Sequence, residues 1–245
     1  MPTKLDRLRA AWTQLGQDDP LWAILSSPDK RGGRWDPDQF FAAGEAEIGG
    51  LDSYCAELGL PRQRRVAVDF GCGVGRLSRA LATRYAEVLG VDIAPSMLAR
   101  ARKLNADVDN LHFVENATDR LDFIADASVD LVYSVITLQH MPAALQLGYI
   151  GEFLRIVAPG GLAVFQIACG YSNDWRGLGY RLLPNRVLAP LRRHAHASRA
   201  VAEMHVVKES AVVDLIAGAG KRVLRALDIE SAGPGFRGRL MFIGN

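Results

Sequence analysis

The residues with the most chemistry to offer are three closely spaced glycines and the acids on either side of them. The stretch Val66-Ala-Val-Asp-Phe-Gly-Cys-Gly-Val-Gly-Arg-Leu-Ser-Arg-Ala-Leu81 runs from an apolar segment into Gly71, Gly73 and Gly75 and then into a helical pattern. Glycine suits such a place because the chain must turn sharply and a Cβ would hold a ligand away from the main chain. A loop at the start of a helix also turns unpaired N–H groups toward that ligand. The next apolar segment, Val88-Leu-Gly-Val-Asp92, ends in a carboxylate. An acid there can accept hydrogen bonds from two neighbouring ribose hydroxyls. Loop and acid together predict a cofactor that contains adenosine, whereas the loop alone would also be compatible with a structural turn.

Small differences in spacing separate the possible cofactors. A nicotinamide fingerprint would need glycine or alanine three residues after Gly73, where this chain has Arg76; the third glycine falls at Gly75 instead. Asp69-Phe-Gly71-Cys-Gly73-Val-Gly75 resembles the first motif of the class I S-adenosylmethionine (SAM)-dependent methyltransferases, and Asp92 matches their ribose-binding acid. The stretch from His112 to Tyr133 is similar to the family's third strand, loop and fourth strand, with Asn116 where the family usually has aspartate, and Phe153-Leu-Arg-Ile-Val-Ala-Pro-Gly-Gly161 to its junction into the fifth strand. The likeness covers residues 64–168 well and 206–245 loosely. It implies SAM as cofactor, S-adenosylhomocysteine (SAH) as product, and a binding set of Asp69, Gly71, Gly73, Gly75, Asp92, Ile93, Asn116, Ala117 and Ser134. An amide oxygen at Asn116 can accept from an adenine amino group, although capping its own loop is the alternative.

Methyl transfer from a sulfonium asks the protein mainly to orient the acceptor, exclude water and, where the acceptor is protonated, remove a proton. Ser134-Val-Ile-Thr-Leu-Gln-His-Met141 follows the fourth strand, where ligands of such sheets gather. His140 is the candidate general base; the alternative is that it bonds backbone or packs on the cofactor. Asn/Asp-Pro-Pro-Tyr/Phe is absent after the fourth strand, and no cysteine follows a proline, so two nucleic-acid base-methylating patterns are missing. No carboxylate cluster near Ser134–His140 suggests magnesium, and no metal is expected. The favoured activity is O- or N-methylation of a small molecule, the rivals being RNA or protein methylation and a non-catalytic SAM-binding or dimerisation module.

These residues need elements to hold them. Short apolar runs at Val66–Phe70, Val88–Val91, Leu111–Val114, Leu131–Val135 and Leu162–Ile167 alternate with helical patterns, and Val223–Ile229 and Leu240–Ile243 read as closing strands. Such alternation predicts an α/β fold with a mostly parallel sheet and helices on both faces. The resemblance makes it a Rossmann-like seven-stranded sheet whose last strand is antiparallel. Leu77, Leu81 and Tyr85 mark one helix, while Leu147, Ile150, Leu154 and Val157 mark another that stops at Pro159-Gly160-Gly161. Residues 1–62 are expected to form an N-terminal helical cap on a domain of residues 63–245. In that cap, Trp35, Phe40 and Phe41 could close over the cofactor, and Arg31 or Arg34 could meet its carboxylate. Residues 171–205 read as an inserted pair of short helices after the fifth strand, with six arginines against Asp174 and Glu203.

Global properties narrow the classes. Twenty-nine basic against 27 acidic side chains give a formal net charge of +2, too little to argue for nucleic acid. Cys55, Cys72 and Cys169 are far apart and form no C-x-x-C pair, so they are expected as buried thiols. No apolar run is long enough to span a bilayer, and the charged start lacks a signal-peptide pattern, so a cytoplasmic location is expected. The expected partner is a small-molecule acceptor, with an acidic one and a homodimer left open. Neither nucleic acid nor membrane is expected, although a basic insert lying on a membrane is the alternative.

Overall fold

The computed structural model describes residues 3–182 and 203–245 and joins the strands into one seven-stranded sheet of order β3-β2-β1-β4-β5-β7-β6. The strands are β1 Val66–Phe70, β2 Glu87–Asp92, β3 Leu111–Glu115, β4 Val129–Ser134, β5 Val157–Tyr171, β6 Arg222–Ile229 and β7 Phe236–Gly244. The first five pair in parallel, and β7 runs antiparallel to both β5 and β6. Every residue of β4 is buried, the burial expected of a central parallel strand covered on both faces.

Each face carries its own core. Ala67, Leu131 and Val164 pack with Ile48 and Leu51 of α3 (Pro37–Leu58) and Leu77 and Leu81 of α4 (Arg76–Ala82). On the opposite face, Val68, Val132 and Phe165 share a core with Phe153 of α6 (Ala143–Ile156) and Ile216 of α8 (Glu209–Gly218). Three further helices complete this frame: α1 (Lys4–Asp18), α2 (Pro20–Ile24) and α5 (Pro95–Leu104). Leu15 and Leu21, from the first two, join Phe40, Val74, Ala94 and Met97 in a third cluster, which seats the N-terminal helices on the glycine loop.

The structure refines several boundaries. The helix predicted through Tyr85 ends at Ala82, because the side chains of Thr83 and Arg84 both donate to the Ala80 carbonyl, at 2.9 and 2.8 Å. Tyr85 is buried all the same. Val157 opens β5 rather than closing α6, and Pro159-Gly160-Gly161 forms a bulge within that strand, where the β4 pairing jumps from Val157 to Leu162. Cys55 and Cys72 are buried thiols, but Cys169 is half-buried. After β5 the chain forms α7 (Trp175–Leu182), the first of the two predicted insert helices; the second, with Arg186, Arg192 and Arg193, lies outside the described residues. No helix among the described residues is long and apolar enough to cross a membrane.

Candidate functional site

The sheet order reverses between β1 and β4, leaving a crevice beyond their carboxyl ends. A cleft of about 890 Å³ occupies it, with Asp69, Gly71, Gly73, Asp92, Ile93 and Asn116 in its lining and His140 beside them. Seven of the residues chosen from sequence are therefore brought together, from segments far apart in the chain.

The acids organise the glycine loop. Asp92 accepts from the backbone N–H of Gly73 at 2.9 Å with one oxygen and from that of Ala94 at 2.8 Å with the other. Burial raises its pKa, and the backbone N–H groups of Ala94, Gly73 and Ile93 oppose that rise. Asp69 accepts from the Ser78 hydroxyl at 2.6 Å, and burial pushes its carboxyl up to about 7. Gly73 needs its left-handed backbone, φ 55°, and a Cβ there would lie 2.5 Å from the Ile24 side chain of α2. Gly71 is pressed in the same way by Thr137. The side chains closest to these two glycines thus come from α2 and from the segment after β4.

Asn116 is buried, and its amide oxygen accepts from the Thr118 hydroxyl at 2.9 Å while its amide nitrogen faces the Tyr149 hydroxyl at 3.4 Å. His140 ends a short 3-10 turn, Leu138–His140. Its Nδ1 lies 2.9 Å from the Glu203 carbonyl, which can only accept, so Nδ1 is the donor in that contact. The Trp12 ring meets the imidazole edge-on at 5.2 Å.

Five sequence candidates stand outside the cleft lining. Gly75 starts α4, and a Cβ on it would strike the Phe113 ring at 2.7 Å, so its smallness serves packing on β3. The Ser134 hydroxyl donates to the Phe70 carbonyl at 2.9 Å and ties β4 to β1. Ala117 and Arg34 are exposed. Trp35 donates to the Leu25 carbonyl at 3.0 Å and packs edge-on against the buried Phe40, docking the N-terminal segment rather than facing the cleft. The aromatic expected from that region comes from α1 instead: Leu8 and Trp12, with Ala23 and Ile24 of α2, cover the cleft. No local motif marks them, because their role depends on where α1 docks. Arg76, the residue after the last loop glycine, also lines the cleft; it is buried and paired with Glu47 of α3 at 2.8 Å. Among the described residues, no three His, Cys, Asp or Glu side chains gather as metal ligands would.

Residues 67–161 match the model of the family described as "Methyltransferase domain". The chain is 37% identical over 145 residues to 2-methyl-6-phytyl-1,4-hydroquinone methyltransferase of Synechocystis sp. (strain ATCC 27184 / PCC 6803 / Kazusa), covering 59% of this chain and 40% of that protein. It is 30% identical over 162 residues to the chloroplastic tocopherol O-methyltransferase of Arabidopsis thaliana, covering 61% of this chain and 46% of that one. The chain thus spans less than half the length of these two relatives. Among solved structures, magnesium protoporphyrin IX methyltransferase of Synechocystis PCC 6803, crystallised with bound SAH, superposes with a TM-score of 0.62 at 17% identity, covering 96% of this chain and 97% of that one.

Proposed function

We propose that the chain is a class I SAM-dependent methyltransferase that transfers a methyl group from SAM to an oxygen or nitrogen of a small-molecule acceptor, a reading supported by the family match over residues 67–161 and by the fold. The observation that carries this reading is Asp92, whose carboxylate holds the Gly73 N–H at 2.9 Å at the edge of the cleft. The residues present fit the cofactor. Asp92 would hold the ribose and Asn116 the adenine, with the backbone of Gly71 and Gly73 against the amino-acid end. The Arg76 Nε is buried without a hydrogen-bond partner, a donor of the kind a methionine carboxylate needs. When bound, SAM supplies a methyl group activated by its sulfonium.

The chain's own task is then orientation, exclusion of water and removal of a proton. Leu8, Trp12 and Ile24 present apolar surface over the cleft and keep water out. His140, held in the cleft lining by its Nδ1 contact with the Glu203 carbonyl, is the candidate base for the acceptor's proton. The relatives named for tocopherol and a phytyl hydroquinone support a small, ring-bearing acceptor. An acidic acceptor would need a cation; Arg76, the one arginine among the described lining residues of the cleft, is already paired with Glu47. The division into a cap of residues 1–62 and a domain of residues 63–245 belongs to the same proposal.

Calorimetric titration with SAM and SAH tests the binding half. Both should bind, and Asp92→Ala should weaken SAH at least 100-fold, because it removes two charge-assisted bonds worth about 1.5–3 kcal/mol each that also shape the loop. Absence of heat with well-folded protein would overturn the reading. Incubation with methyl-labelled SAM and cell extract tests the catalytic half: label in a small molecule is expected, label in RNA or protein selects the macromolecular rival, and binding without any SAH production selects the non-catalytic one.

A further inference from the structure

A second cavity, of about 670 Å³, adjoins the cleft on the α3 side of the sheet and shares Val135 and Ile136 with it. The shared wall is built with care. Ile136 is a β-branched residue at φ 55°, a backbone region that such residues rarely occupy. Its N–H donates to Gln166 Oε1 at 3.2 Å, which also accepts from Ser231 at 3.1 Å, while Gln166 Nε2 donates to Gln139 at 2.7 Å. Three polar side chains from three segments thus pin a strained residue between two chambers. An ion pair also bridges them, since Arg76 lines the cleft and its partner Glu47 lines the second cavity.

Gly50 marks the open edge of this cavity. It lies in the interior of α3 and is exposed at the cavity edge, and glycine is the poorest helix former after proline. Gly44, in the same helix, has a packing reason, because a Cβ there would lie 2.5 Å from the Arg76 carbonyl. A Cβ on Gly50 would meet no atom within 4 Å. Gly49 likewise meets nothing, so packing requires glycine at neither position, and the missing side chain at Gly50 leaves the cavity edge open.

The lining describes that occupant. Leu51, Tyr54, Ile229, Leu240 and Phe242 give apolar and aromatic walls. Among the described lining residues Glu47 is the one charged group, and it accepts from the Tyr133 hydroxyl at 3.2 Å with one oxygen and pairs with Arg76 through the other. Among the described lining residues no cation is present to receive an anionic ligand, and the Arg76 partner offsets the pull of Glu47 on a cationic one. A hydroxyl donor on a flat ring satisfies both walls and carboxylate. Resting on the methyltransferase reading, we propose that this cavity is the acceptor chamber and takes an uncharged phenol, with its ring beside Tyr54 and Phe242 and one hydroxyl donating to Glu47.

The test titrates the full chain, saturated with SAH, with 1-naphthol, 1-naphthoate and naphthalene. 1-Naphthol should bind at least tenfold tighter than either of the others. Gly50→Trp, which directs an indole into open space, should weaken 1-naphthol at least tenfold while leaving SAH affinity within twofold. Gly50→Leu should do the same to a smaller degree, and keeps the test decisive if the tryptophan variant does not fold. Equal 1-naphthol affinity in wild type and the residue-50 variants, no binding of 1-naphthol, or naphthoate bound as tightly as naphthol would each overturn the proposal. Loss of the phenol result with SAH binding intact removes only the chamber; a wild-type protein that does not bind SAH removes the methyltransferase reading and the acceptor role with it.

Discussion

At the scale of single residues, two side chains of the cleft have states that can be measured. Asp69 is buried, and its carboxyl is pushed from 3.8 up to about 7. Between those values the folded protein binds a proton that the unfolded chain has released, so stability falls as pH rises through this window and levels off above it. The effect is on the order of 4 kcal/mol. Thermal unfolding between pH 4.5 and 8 should therefore decline more steeply for wild type than for Asp69→Asn, which keeps an acceptor for Ser78 without a charge to bury; parallel curves would show that Asp69 titrates normally. His140 allows a kinetic test. With Nδ1 committed to the Glu203 carbonyl, His140→Ala should lower turnover of the labelled product by roughly 100-fold or more and flatten its pH dependence, with SAH affinity unchanged. A variant retaining most of its turnover at all pH values would leave orientation as the whole of catalysis.

At the scale of elements, α3 is the pivot of the molecule. It packs on α4, sends Glu47 to Arg76, and edges the second cavity. Two of its three interior glycines, Gly44 and Gly50, should respond oppositely to the same small change. Gly44→Ala would drive a methyl against the rigid Arg76 carbonyl and should destabilise by roughly 1–3 kcal/mol. Gly50→Ala, which meets nothing, should stabilise by about 0.5–1 kcal/mol through helix propensity alone. Chemical denaturation of the two variants checks this, and equal effects would contradict the placement of α3. Helix and strand types were legible here because their apolar periods survive in the chain. Boundaries were less so: α4 stops where Thr83 and Arg84 capture the Ala80 carbonyl, and β5 absorbs Pro159-Gly160-Gly161 as a bulge, both settled by contacts with other segments.

At the scale of the whole molecule, the N-terminal helices lie across the carboxyl ends of the sheet and form one side of the cleft. Leu8, Trp12 and Ile24 on one side face Asp69, Asp92 and Asn116 on the other, so a ligand held between them should bind the two parts together. SAH at 100 times its Kd should add about 2.7 kcal/mol of stability. For a chain of this size that corresponds to a rise in Tm of roughly 5–11 °C. Hydrogen exchange should slow in α1 and α2 as well as in the glycine loop; protection confined to the loop would mean that the N-terminal helices do not contribute to binding.

What the sequence by itself determined is the part of the site written in short, continuous segments. The loop from Asp69 to Gly75, the acid at Asp92 and the alternation of strands and helices are local patterns, and local physics ties each to a turn, a strand end or a packing face. The tertiary structure alone decided what stands opposite them. Trp12 reaches His140, Ile24 reaches Gly73, and Glu47 reaches Arg76 through the docking of helices remote in sequence. It also assigned Gly75 and Ser134 to packing and to a strand tie. Such contacts depend on the relative placement of whole elements, and that placement is fixed by the summed burial of many apolar side chains, which no single segment encodes.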